Sequence, residues 1–189
     1  MKELEDRIRK EGRVLPGNIL KVDSFLNHQV DALFMDRMAE TIHEAFKGER
    51  IDRIMTVEAS GIALAQCVAM HFKVPFVFTK KAVSGNIGTD VYVSRAYSYT
   101  YGKDYEMVVS KKYVHKGERI LLVDDFLADG KAMRAMIDLC EQAGAEPAGV
   151  CACIEKGFQD GGRKLREDGY RVVSLAIIKE MNEEGILFE

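Results

Sequence analysis

The sequence predicts an α/β protein with a parallel central sheet flanked by helices. Short apolar runs, such as Ile120-Leu121-Leu122-Val123 and Val150 to Ile154, read as strands buried on both faces. Helical stretches alternate with these runs, the pattern that produces parallel strands joined by crossovers. Ligands of such sheets sit beyond the carboxyl ends of the strands. Three acids, Glu58, Asp124 and Glu155, stand just past apolar strands, so the chemistry is expected there.

Taken in order, residues from about Glu3 to Gly12 read as a polar helix ended by glycine. Val14 to Val22 is irregular or extended, with a turn at Pro16-Gly17. His28 to Phe46 is an amphipathic helix whose apolar face is Val30, Leu33, Phe34, Met38, Ile42, Ala45 and Phe46. Asn27 is a suitable N-cap for it, and Gly48 a cap at its other end. Strands follow at Ile51 to Val57, Pro75 to Thr79, Met107 to Ser110, Arg119 to Val123, Ala148 to Ile154 and Val172 to Ile178. Helices follow at Gly61 to Phe72 and Gly130 to Ala143, with a helical turn at Arg163 to Asp168.

Composition narrows the function classes. At 189 residues the chain reads as one domain, 1–189, and its 47% hydrophobic content is enough for a substantial core. A formal net charge of −3 gives no global basic field for nucleic acid or anionic lipid. No apolar run approaches the roughly 20 residues of a membrane helix. The charged first segment, MKELEDRIRKEGRVL, has no apolar signal core, so a cytoplasmic protein is expected. Cys67, Cys140, Cys151 and Cys153 lie in apolar surroundings, and the four histidines supply no matching ligand spacing. They read as small buried hydrophobes rather than a metal site.

The most informative stretch is ILLVDDFLADGKA, Ile120 to Ala132. A buried strand meets two acids, then a small-residue turn, then a helix with Met133, Met136, Ile137 and Cys140 on one face. Free N–H groups at a helix start hold phosphate, and carboxylates accept from ribose hydroxyls. Val57-Glu58-Ala59-Ser60-Gly61 is a second strand-to-helix turn, with small residues that let a polyanion approach the backbone. From Lys80 to Tyr105 the chain has few aliphatic residues, several glycines, and Tyr97, Tyr99 and Tyr101 at a strand-like period of two.

The Asp-Asp segment resembles the phosphoribosyl-diphosphate (PRPP) signature of type I phosphoribosyltransferases, with Ala128-Asp129-Gly130-Lys131-Ala132 in place of a hydroxyl-rich loop. From Leu20 to Lys156 the chain is similar to the bacterial branch of that family that uses xanthine. The resemblance implies the type I fold, with a flexible loop and a small hood contributed by about residues 1–30 and the C-terminal segment. It implies Asp124 and Asp125 as catalytic carboxylates. It places the 5′-phosphate of PRPP on Ala128, Asp129, Gly130, Lys131 and Ala132, and the pyrophosphate on Glu58, Ala59, Ser60 and Gly61. Leu20, Asn27 and Lys156 are then purine-binding, with Lys156 donating to a purine oxo group. The resemblance also assigns Lys80, Lys81 and Arg95 to a flexible loop that closes over PRPP. It implies further that magnesium enters on PRPP with no direct protein ligand, and that the assembly is a homodimer.

Two other readings stay open. All oxopurines present a carbonyl to Lys156, so guanine or hypoxanthine can replace xanthine as substrate. A PRPP-sensing regulator that binds DNA would carry a helix-turn-helix module, whereas the region before the first sheet strand holds one clear long helix and no basic recognition stripe.

Overall fold

The computed structural model describes residues 1–80, 90–98, 103–182 and 184–189, with the backbone alone at 95–98 and 103–105. Helix α1 (Lys2–Glu11) buries Leu4 and Ile8, one turn apart, and carries acids in its first turn and bases in its last, matching its dipole. After Gly12 the chain folds back as a hairpin, β1 (Arg13–Leu15) with β2 (Ile19–Lys21). Gly17 and Asn18 take positive φ, 83° and 60°, in its turn, residue types that tolerate it.

A single π-type turn, Asp23–Asn27, buries Phe25 and Leu26 before α2 (Ala32–Ala45). This helix starts four residues later than its periodicity predicts. Asp31 is its cap, accepting from the Phe34 N–H at 3.1 Å, and Arg7 pairs with the same carboxylate at 2.6 Å. Asn27 therefore does not cap α2. The buried face is Phe34, Met35, Met38, Ala39 and Ile42, whereas Val30 and Leu33 are 40% and 76% exposed.

The sheet is built from β3 (Arg53–Val57), which leads into α3 (Gly61–Phe72), then β4 (Phe76–Thr79). A separate antiparallel hairpin, β5 (Val91–Ser98) with β6 (Lys103–Ser110), comes next. It joins the body through paired N–H···O bonds of 2.9 Å between Lys80 and Val108. Strand β7 (Arg119–Leu127) precedes α4 (Lys131–Ala143), β8 (Glu146–Lys156) precedes α5 (Gly161–Glu167), and β9 (Val172–Asn182) turns into β10 (Gly185–Phe188). The strand order is β10-β9-β8-β7-β3-β4, parallel except for β10 against β9. The expected parallel sheet is present, and β10 is an addition that the sequence reading lacks.

Alternate residues of the strands feed two cores. Leu121, Val123, Cys151 and Cys153 pack with α1, α2 and α3, whereas Ile120, Leu122, Val150 and Ala152 pack with α4. All four cysteines are free thiols, and burial pushes the Cys140 thiol up to about 12 and those of Cys151 and Cys153 up further. Among the described residues no helix is long and apolar enough to cross a membrane.

Strand β7 also runs four residues past its predicted end. It stays hydrogen-bonded to β8 through Leu127↔Glu155, so Asp124 and Asp125 are strand residues, not loop residues. Of the predicted flexible segment, Lys81, Tyr99 and Tyr101 lie outside the described residues, as do the side chains of Arg95 and Tyr97.

Candidate active site

Asp124 and Asp125 are only 8% and 7% exposed at the carboxyl end of the sheet. Asp124 Oδ1 accepts from the N–H of Asp125 at 2.9 Å. Asp125 is a junction. Its Oδ1 accepts from Ser60 Oγ and its Oδ2 from Asn27 Nδ2, each at 3.0 Å. One carboxylate thus gathers three segments distant in sequence: the π-type turn that carries Asn27, the turn after β3, and β7. Both donors are neutral groups that orient its two oxygens.

The turn after β3 is pressed against this pair. The Glu58–Ala59 peptide is cis, the Glu58 N–H donates to Thr79 O at 3.1 Å, and the Ala59 carbonyl accepts from Ile62 N–H at 3.2 Å. A Cβ on Gly61 would overlap Thr56 Oγ1 and lie 2.9 Å from Asp124 Oδ1, so only glycine fits there. Ser60 and Gly61 open α3, and of the N–H groups in its first turn that of Ile62 is already held by the Ala59 carbonyl.

The 128–132 turn opens α4 in the same way. Gly130 takes φ 79° at the cap position and its carbonyl accepts from Arg134 N–H at 2.9 Å. Asp129 accepts from the Lys131 N–H at 3.1 Å and pairs with the Lys131 ammonium at 3.0 Å. Helix α5 backs the turn: Gly161 N–H donates to Ala128 O at 3.2 Å.

Lys156 ends β8 with its ammonium 2.8 Å from Asn18 O and over the Phe126 ring. Half-burial pulls it below the ordinary lysine value. Asn18 belongs to the β1–β2 turn, so Lys156 faces the N-terminal hairpin. Leu20 lies in that hairpin but is only 6% exposed and belongs to the α1–α3 core. Lys80 lines an open groove of about 490 Å³ with Arg53, Phe76, Phe78, Lys112 and Tyr113, none of which is a predicted site residue.

Glu155 corrects the expectation that each acid past a strand faces the ligand. It is 2% exposed, and both Arg166 guanidinium nitrogens meet it at 2.7 Å. Burial pushes its carboxyl up, but Arg166 and Ser174 outweigh that and hold it below the ordinary value. Arg166, Ser174 and the Gly161-Gly162 pair went unread in the sequence. The only local signal for them was two adjacent glycines opening a helix.

Among the described residues no group of three or more His, Cys, Asp and Glu side chains is gathered to hold a metal. The hard oxygens of Asp124 and Asp125 suit a substrate that carries magnesium.

A family model described as the phosphoribosyl transferase domain matches residues 21–189. The chain is 53% identical over 186 residues to xanthine phosphoribosyltransferase of Bifidobacterium adolescentis, spanning 98% of this chain and 96% of that protein. It is 50% identical over 190 residues to xanthine phosphoribosyltransferase 1 of Clostridium perfringens, covering 100% of both. Its backbone matches that of an adenine phosphoribosyltransferase from Rhodothermus marinus with a TM-score of 0.77, over 94% of this chain and 100% of that one. At 22% identity that last likeness concerns the fold alone.

Proposed function

The chain belongs to the phosphoribosyl transferase domain family, and from that premise we propose that it transfers the 5-phosphoribosyl group of PRPP to xanthine in purine salvage. The products are xanthosine 5′-monophosphate and pyrophosphate. The fold is that of the type I enzymes, with α1, the β1–β2 hairpin and the β9–β10 end as the hood. The observation that carries the site reading is Asp125, which ties the purine, pyrophosphate and ribose segments together through Asn27 and Ser60.

In the reaction a purine nitrogen bonds to C1′ of the ribose as the C1′–O bond to pyrophosphate breaks, and the electron pair leaves with pyrophosphate. Positive charge grows on the ribose meanwhile. Asp124 and Asp125 receive the ribose hydroxyls, and their carboxylates stabilise that charge. The N–H groups around Ser60 and Gly61 receive the leaving pyrophosphate, with α3's dipole behind them. Magnesium, if it enters on PRPP, would supply the positive charge that offsets the leaving group's negative charge. The turn 128–132 anchors the 5′-phosphate with the N–H groups opening α4 and with Lys131, which sets the reacting geometry. Lys156 donates to a purine oxo oxygen. No side-chain nucleophile is needed if the purine reacts as its anion. We further propose a cytoplasmic homodimer, on the family likeness.

The test is to offer xanthine, guanine, hypoxanthine and adenine separately, with PRPP and magnesium, and to measure the nucleotide formed. Xanthine is expected to lead. Leadership by guanine or hypoxanthine would correct the base, and PRPP binding without turnover on any base would point to a regulator.

A further inference from the structure

Glu155 and Lys156 are consecutive at the end of β8, so their side chains leave opposite faces of the sheet. Lys156 points toward Asn18 and Phe126. On the other face, Glu155 is gripped by Arg166 at 2.7 Å twice and by Ser174 Oγ at 2.5 Å. Holding one of two consecutive strand residues fixes the direction of the next. Glu155 is also the register partner of Leu127, the residue just before the 128–132 turn.

Helix α5, which carries Arg166, reaches that turn directly. A Cβ on Gly162 would overlap Glu155 Oε1. A Cβ on Gly161 would overlap Ala128 O and lie 2.5 Å from Gly130 N. The two glycines therefore let α5 lie flush against both the buried carboxylate and the turn. An ion pair between a buried carboxylate and a guanidinium that is 39% exposed returns little net stability, because desolvation and solvent screening offset its attraction. What a bidentate pair does supply is a fixed geometry.

We propose that Arg166 is a positioning residue for phosphoribosyl transfer. Through Glu155 it aims Lys156 at the purine, and through Gly161 it seats the turn that holds the 5′-phosphate. This rests on the roles given to Lys156 and to residues 128–132 under the proposed function.

The test variant is Arg166→Lys, which keeps the charge and loses the two-pronged fork. Xanthine KM and the Kd for magnesium–PRPP, the latter titrated without purine, are each expected to rise about tenfold while kcat changes less than about threefold. The decisive readout is a cycle with Lys156→Met. If Arg166 acts through Lys156, Arg166→Lys adds less than about twofold to xanthine KM once Lys156 is gone. Effects that multiply in the double variant, or unchanged substrate constants in a folded Arg166→Lys protein, would overturn the proposal. Should Arg166→Lys not fold, Ser174→Ala removes a single bond to Glu155, and the same cycle is read at about threefold. Absence of any nucleotide from xanthine in the unaltered enzyme would fault the base assignment instead. The PRPP titration would then still decide the phosphate half.

Discussion

Two neighbouring strands, β7 and β8, each end in buried carboxylates, yet their surroundings differ in kind. Asp125 is held by an amide and a hydroxyl, Asn27 and Ser60, which orient it without cancelling its charge. Glu155, across the ladder from Leu127, is held by a guanidinium that matches its charge and both its oxygens. The first arrangement leaves a negative group to meet ribose hydroxyls and a growing positive charge. The second consumes the charge in fixing α5 against the sheet. The partner of a buried acid, rather than its position past a strand, decides whether it is available for chemistry.

The sharpest way to break the contrast is to neutralise each side in turn. Asp124→Asn and Asp125→Asn should each lower kcat by about 10²-fold or more, because charge stabilisation in a dry site is a leading source of rate. Their melting temperatures should move little, and circular dichroism with initial rates under saturating PRPP reads both. Little loss of turnover in these variants would remove the catalytic roles. Arg166→Met should do the reverse. It leaves the buried Glu155 without its guanidinium, and because Arg166 is itself 39% exposed the loss is about 1–2 kcal/mol of stability, which urea denaturation would register as a lower midpoint at unchanged slope.

The same pair sets an acid limb. Glu155 is held below its ordinary value of 4.5 in the folded chain, so the unfolded chain binds the extra proton first. Its contribution is complete above that pH and disappears as pH falls through the lower folded value. Denaturation midpoints across pH 3 to 6 should therefore fall less steeply toward acid in Glu155→Gln than in the unaltered protein. Parallel curves would mean that Arg166 does not hold the carboxylate in solution as the geometry indicates.

What the sequence made legible follows the same division. The alternation of apolar runs and amphipathic helices needs only local pattern, and it yields the sheet order's raw material and the two strand-to-helix turns at 57–61 and 124–132. The extension of β7 through Asp124 and Asp125 is not local, because β8 supplies the hydrogen bonds that keep those acids in the strand. The addition of β10 likewise depends on pairing with β9. Glu155 looks like Asp124 in one dimension, and only Arg166 and Ser174, 11 and 19 residues downstream, distinguish it. The hydrogen bond from Asn27 to a carboxylate 98 residues away is equally invisible to spacing.

Asn27 offers the finest test, since local pattern makes it a helix cap and the fold makes it a partner of Asp125. The cap is Asp31. Asp31→Ala should cost about 1 kcal/mol of stability, the usual price of a lost N-cap, and leave the substrate constants unchanged. Asn27→Ala should leave stability within about 0.5 kcal/mol, because the side chain is exposed and serves no helix end. It removes one hydrogen bond from Asp125 Oδ2 and, by the proposed function, one contact to the base. A loss of about 1 kcal/mol there corresponds to roughly a fivefold rise in xanthine KM. If the two variants exchanged these effects, the helix would begin at His28 in solution and Asp125 would lose its link to the hood. If Asn27→Ala changed neither quantity, Ser60 alone would hold Asp125, and the coupling of purine and ribose segments would have to run through Lys156 instead.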